Sequence, residues 1–196
     1  MDKFRYYLII SQLSIFILLS ICSLMIPGVA RSNGGVSNFG NYPSTVGLYS
    51  LGFSLCVLFL WLAADNILSK DLKFKKIAYV IFLIGLLYLL VLLNTFPRHL
   101  SFAYSMAHDY LGVALYAIEF FMSLWLLIKK HTSIGILIFS IEIMGMLIGL
   151  LSILKFVHFL YVGQIIGSIG FGLLIIIYLP NILNNLLLKK TRLLKK

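Results

Sequence analysis

Two acidic residues, Glu119 and Glu142, stand inside long apolar stretches of the sequence. Each lies near the middle of its stretch, so the two carboxyls are expected at similar depth if the stretches cross a membrane. An ionised carboxylate at the centre of a bilayer is costly, so we expect at least one of the pair to carry a proton at neutral pH. Acidic residues at such positions are typical of proton relays and substrate pathways in membrane proteins.

Polar side chains accompany these carboxyls at helical spacing. One stripe of the helix that holds Glu119 carries His108, Gly112, Tyr116, Glu119 and Ser123. The candidate intramembrane polar site consists of Glu119, Glu142, Tyr116, Ser123, Gln164 and Ser168. Two interpretations stay open. The site is either a polar track or buried proton site, or a pair of neutral carboxyls that hydrogen-bond across the helices as structural contacts.

A second group of polar residues gathers where the apolar stretches end on one side. The candidate outer-face site consists of His99, His108, Asp109, His158 and Arg98. Three His and an Asp could bind a metal ion or act on lipid headgroups, but the His residues lack the short paired spacing of metal motifs. Anchoring at the membrane interface is the alternative. We therefore predict no catalytic residue, metal or cofactor, and haem is not expected because no His lies inside a span.

The elements that position these residues follow from the composition. The chain has 196 residues, of which 61% are hydrophobic and only 11% are charged. Soluble domains have roughly 45–50% apolar and about 25% charged residues. A soluble fold of this size could not bury so much apolar surface. The composition excludes a soluble enzyme, a disordered chain and a secreted disulfide scaffold, and it indicates an integral membrane protein.

Six apolar stretches are long enough to cross a bilayer, which takes about 20 residues per helix. The predicted spans are 6–26, 46–68, 77–96, 110–128, 133–154 and 160–179. Barrel strands would alternate over about ten residues, so these continuous runs are helices. Pro27, Pro97 and Pro180 predict the ends of the first, third and sixth spans. We predict an all-α fold, a polytopic six-transmembrane-helix bundle, as a single domain over 1–196.

The Lys and Arg residues predict the orientation. With the N-terminus in the cytoplasm, all but three of the 16 Lys and Arg lie on the cytoplasmic side. Both termini, the turn at 70–76 and a basic tail at 181–196 are then cytoplasmic. The net charge of +10 reflects this orientation, so no nucleic-acid partner is expected. The expected partners are membrane lipids, whose anionic headgroups attract basic residues at the cytoplasmic face.

Small residues predict close contacts between helices. Gly145 and Gly149 share a face with Glu142 on the fifth span, and Gly163 and Gly167 form a close-packing pair on the sixth. That pair could serve an oligomer or a contact within the chain. In a six-helix chain the contact within the chain is favoured.

Two loop motifs resemble those of a known family. Ser37 and Gly40 precede the second span, and Phe96 and Pro97 are followed by His108 at the start of the fourth. These motifs resemble an uncharacterised six-span family of bacteria and archaea, which is similar to the eukaryotic DRAM-type (damage-regulated autophagy modulator) membrane proteins. The resemblance implies a compact six-helix bundle with both termini inside. For prokaryotic members it implies no established activity.

Three hypotheses for function follow. The first is a non-enzymatic structural, regulatory or lipid-contacting membrane protein, since no catalytic constellation is assembled. The second is a small proton-coupled transporter that uses Glu119 and Glu142. The third is a membrane-embedded enzyme with the outer-face His and Asp residues. Abundant Lys, Ile, Leu and Asn are typical of AT-rich microbial genomes. The six spans predict a multi-pass protein of the cell membrane, and we expect a microbial plasma membrane.

Overall fold

The computed structural model describes residues 2–31, 34–97 and 100–193, and these form helices and turns without a strand. The helices are α1 (Asp2–Met25), α2 (Pro27–Arg31), α3 (Val46–Leu68), α4 (Lys75–Thr95), α5 (Phe102–Lys129), α6 (Ser133–Ile153) and α7 (Leu160–Leu193). Two short 3-10 helices, Val36–Asn41 and Leu72–Phe74, precede α3 and α4.

Six of these helices are long and apolar enough to cross a membrane, namely all but the five-residue α2. The prediction of an all-α, six-span protein is confirmed. The direction in which the helices cross, and the membrane that they cross, stay predictions.

Five of the long helices surround a central space. α1 packs on α3, α3 on α4 and α4 on α5, and α7 contacts both α5 and α1. α6 follows α5 through a short turn, yet it packs mainly against α7. The arrangement therefore places α6 on the far side of α7, outside the ring formed by α1, α3, α4, α5 and α7.

α5 begins eight residues before the predicted start at Tyr110. Ser101 caps the helix, because its hydroxyl accepts a hydrogen bond from the Tyr104 N–H at 3.4 Å. Residues 102–109, which precede the predicted fourth span, are thus helical, and His108 belongs to the first turns of α5. The added turns contain Ser105, His108 and Asp109, which interrupt the apolar run from which the start of the span was predicted.

The prediction that the sixth span ends before Pro180 is wrong. α7 continues through this proline to Leu193. Pro180 lacks an N–H, so one bond of the helical ladder is missing there. The side-chain amide of Asn181 donates to the Ile177 carbonyl at 2.6 Å, which supports the helix beside the break. Part of the predicted basic tail at 181–196 is therefore a continuation of α7.

The 3-10 helix Val36–Asn41 closes one end of the ring. Phe39 at its centre is fully buried, and its ring meets Tyr161 of α7 edge to face at 5.7 Å. The Thr45 hydroxyl donates to the Phe39 carbonyl at 2.7 Å, which ties the segment to the start of α3. We call Val36–Asn41 the outer cap, since positive charges predict that this side faces outward.

Candidate functional site

A cavity lies inside the ring, between the outer cap and the middle of α5. Its volume is about 60 Å³, and residues of α1, α3, α4, α5, α7 and the outer cap line it. The polar members of this lining are Ser37, Tyr88, His108, Tyr116, Glu119, Gln164 and Ser168. A buried water needs roughly 10–15 Å³ of such volume and two to four polar partners. The cavity therefore has room and partners for about four waters.

Glu119 forms the inner end of this cavity. Its side chain is 1% exposed, and one carboxylate oxygen accepts a hydrogen bond from the Tyr88 hydroxyl at 2.8 Å. Tyr88 comes from the middle of α4, on the facing wall of the ring. The bond fixes the carboxyl at the cavity wall and leaves its other oxygen for water or a proton.

Glu142 is also buried, but in different surroundings. It is fully inaccessible, and neither carboxylate oxygen has a hydrogen-bond partner among the described residues. Ser123 of α5 faces it, but no hydrogen bond between them meets normal geometry. A methyl group on Gly170 of α7 would come within 2.6 Å of the Glu142 backbone nitrogen. Glu142 is therefore wedged against α7, and it does not line the cavity.

Glycines bring α6 and α7 into direct backbone contact around Glu142. A Cβ on Gly145 would lie 2.1 Å from the Gly167 nitrogen, and one on Gly163 would lie 2.5 Å from the Gly149 nitrogen. No L side chain fits at such distances. The Gly163 and Gly167 face is thus filled by α6 of the same chain. We call this contact the glycine seam.

Gln164 of α7 holds the outer cap over the cavity. Its side-chain oxygen accepts a hydrogen bond from the Val36 N–H at 2.7 Å. Gly35, just before the cap, has a φ of 68° and leaves no space for a side chain, because a Cβ would lie 2.6 Å from the same Gln164 oxygen. The backbone therefore approaches Gln164 closely only because residue 35 is glycine.

Few groups in the lining of the cavity can balance a negative charge on Glu119. This lining holds Glu119 and His108 as titratable carboxyl and imidazole groups, with neither Lys nor Arg. Because an ionised carboxylate is costly in a buried site that holds neither Lys nor Arg, a proton on Glu119 is the simplest neutralisation. Water in the cavity could carry that proton along the polar lining.

The outer-face residues do not assemble into one site in the described part of the chain. His108 is buried and faces the cavity, whereas Asp109 and His158 are exposed. Arg98 and His99 lie outside the described residues. Among the described residues no group of three or more His, Cys, Asp or Glu is placed to hold a metal ion.

The candidate intramembrane residues divide between the two regions. Glu119, Tyr116, Gln164 and Ser168 line the cavity, while Ser123 faces Glu142 at the seam side. Tyr88 was missed by the sequence prediction. Its signal is a phenol in the middle of an apolar span, since a buried Tyr hydroxyl usually requires a partner. His108 was assigned to the outer face, but it also lines the cavity.

The chain matches no family model, no curated protein and no solved structure. The resemblance in the two loop motifs therefore stays a prediction, and the site has to be interpreted from its own geometry.

Proposed function

We propose that this protein is a small proton-coupled membrane carrier in which Glu119 is the proton-binding residue. The observation that supports the proposal is the cavity, which joins Glu119 to the outer cap through polar side chains. A dry, fully packed bundle would favour a purely structural role. A polar cavity that ends on a buried acidic residue favours proton uptake instead.

The size of the cavity restricts what it can hold in this conformation. About 60 Å³ accommodates a few waters but no metabolite. A carried solute would therefore need a conformation in which the outer cap moves away from α7. The hydrogen bond between Val36 and Gln164 and the ring contact between Phe39 and Tyr161 would both have to break.

The second candidate is a non-enzymatic structural, regulatory or lipid-contacting protein. The glycine seam favours it, because a direct backbone contact between α6 and α7 is typical of rigid helix packing. In that account Glu119 is a neutral group that accepts the Tyr88 hydrogen bond and has no further role.

A flux measurement distinguishes the two candidates. The purified protein is reconstituted into vesicles that contain a pH-sensitive dye, and pools of small polar solutes are added outside under an imposed pH gradient. A carrier gives an internal pH change with at least one pool, and E119Q abolishes it. E142Q is the matched control and retains the flux. If the parent behaves as protein-free vesicles do with every pool, the carrier proposal fails.

A further inference from the structure

α4 has a groove on each side near its lysine-rich end. One groove lies between α4 and α5 and has a volume of about 490 Å³. The other lies between α3 and α4 and has the same volume of about 490 Å³. Both grooves lie between helices that are long and apolar enough to cross a membrane, so we expect lipid to meet them. The two grooves differ in the charged residues at their ends.

The α4–α5 groove joins an apolar channel to two positive charges. Its walls include Val80, Ile118, Phe121 and Trp125, and its end carries Lys73 and Lys76. Both lysines are exposed, and no acidic residue lines the groove. Asp71 lies outside the groove wall, where its carboxylate accepts a hydrogen bond from the Lys73 backbone N–H at 3.0 Å. The positive end of the α4 dipole lies at the same place, since α4 begins at Lys75.

The α3–α4 groove has the opposite character at its end. Asp65 lines it, and Lys75 lies outside its wall with its ammonium 5.4 Å from the centre of the Tyr79 ring. Asp65 is the only charged residue among those that line this groove, so the groove offers an anion no basic partner. Trp61 lines this groove as Trp125 lines the other, and they are the only two tryptophans of the chain.

We propose that the α4–α5 groove is a binding site for one anionic phospholipid. Its phosphate binds Lys73 and Lys76, and one acyl chain lies along the apolar wall towards Phe121. Basic groups at the ends of apolar grooves between membrane helices match a lipid in both charge and shape. The site is separate from the cavity at Glu119, so it stands or falls independently of the carrier proposal.

The two tryptophans allow each groove to be measured separately. The protein is reconstituted into phosphatidylcholine vesicles with increasing fractions of phosphatidylglycerol or phosphatidylcholine that carries brominated acyl chains. Bromine quenches tryptophan fluorescence on contact. W61F reports only on Trp125, and W125F reports only on Trp61. One lysine near the surface contributes about fivefold in affinity, and two contribute up to about 30-fold.

The expected result is that brominated phosphatidylglycerol binds at Trp125 at least about fivefold more tightly than brominated phosphatidylcholine. At Trp61 the two lipids quench alike. K73Q/K76Q brings the preference at Trp125 to about one. K70Q/K75Q removes the same charge from the same segment but not from the groove, and it retains the preference.

Three results would overturn the proposal. They are equal quenching of Trp125 by both lipids, an unchanged preference in K73Q/K76Q, and the same preference at Trp61. If W61F does not fold, the protein with both tryptophans is used. K73Q/K76Q must then lower the excess quenching by phosphatidylglycerol, and an unchanged excess contradicts the site.

Discussion

α7 separates two regions that pack in opposite ways. On one side, Gln164 and Ser168 line a cavity that ends at Glu119. On the other side, glycines of α7 lie directly on the backbone of α6, and Glu142 is enclosed there. Burial alone therefore does not determine what surrounds a carboxyl. What differs is the space beside it, because only Glu119 has room for the water that would bring a proton.

The largest expected effect is at the glycine seam. G145A places a methyl group 2.1 Å from the Gly167 nitrogen, so the two helix backbones must separate. We expect a loss of about 3 kcal/mol in the free energy of unfolding, at the upper end for overpacking. Thermal unfolding in detergent measures it. G47A is the control, since its Cβ meets nothing within 4 Å. Equal stability of the two variants would contradict a direct backbone contact between α6 and α7.

Opening the outer cap is expected to affect the cavity side only. Q164A removes the acceptor for the Val36 N–H, a bond of about 1 kcal/mol. We expect a cysteine placed at Ser37 to react about fivefold faster with a water-soluble thiol reagent in the Q164A background. Background reaction is excluded by replacing Cys22 and Cys56, which are both buried. An unchanged rate would mean that Gln164 does not hold the cap.

The hydrogen bond from Tyr88 to Glu119 is expected to contribute about as much to stability as the one between Val36 and Gln164. Y88F removes the hydroxyl that donates to the carboxylate, and we expect a loss of about 1 kcal/mol in unfolding free energy. S123A on the Glu142 side is the matched comparison. The Ser123 hydroxyl has no hydrogen-bond partner among the described residues, so its loss should leave stability within about 0.5 kcal/mol. A larger effect for S123A would reverse the contrast between the regions.

The smallest change in stability is expected at Gly112, and it is an increase. Gly112 lines the cavity, and a Cβ there meets nothing within 4 Å. G112A should therefore raise the free energy of unfolding by about 0.5–1 kcal/mol, because alanine favours the helix over glycine. A glycine-to-alanine substitution in the glycine seam is expected to lower the free energy of unfolding instead. A loss of stability in G112A would show that the cavity side is as tightly packed as the seam.

The apolar runs were sufficient to predict the number and approximate place of the spans, because the bilayer fixes their length. They did not predict that α7 continues through Pro180 or that α5 starts at Phe102, because apolar periodicity does not reveal the side-chain hydrogen bonds of Asn181 and Ser101 at these places. Burial of Glu119 and Glu142 follows from their cost in lipid.

The separation of Glu119 from Glu142 could not be predicted. Helical periodicity gives the face of each residue but not the neighbour that this face meets. The position of α6 outside the ring decides that Glu142 meets the backbone of α7. The contact between Tyr88 and Glu119 likewise depends on how α4 and α5 are placed together.

The contrast between the two regions requires that water reaches Glu119 and not Glu142. Infrared spectroscopy tests it most directly, because the C=O stretch of a protonated carboxyl shifts when its proton is replaced by deuterium. At mildly acidic pH, E142Q keeps Glu119 and E119Q keeps Glu142. After transfer to D2O, the account predicts a rapid band shift in E142Q and a slow one in E119Q. Equal rates, or faster exchange in E119Q, would contradict it.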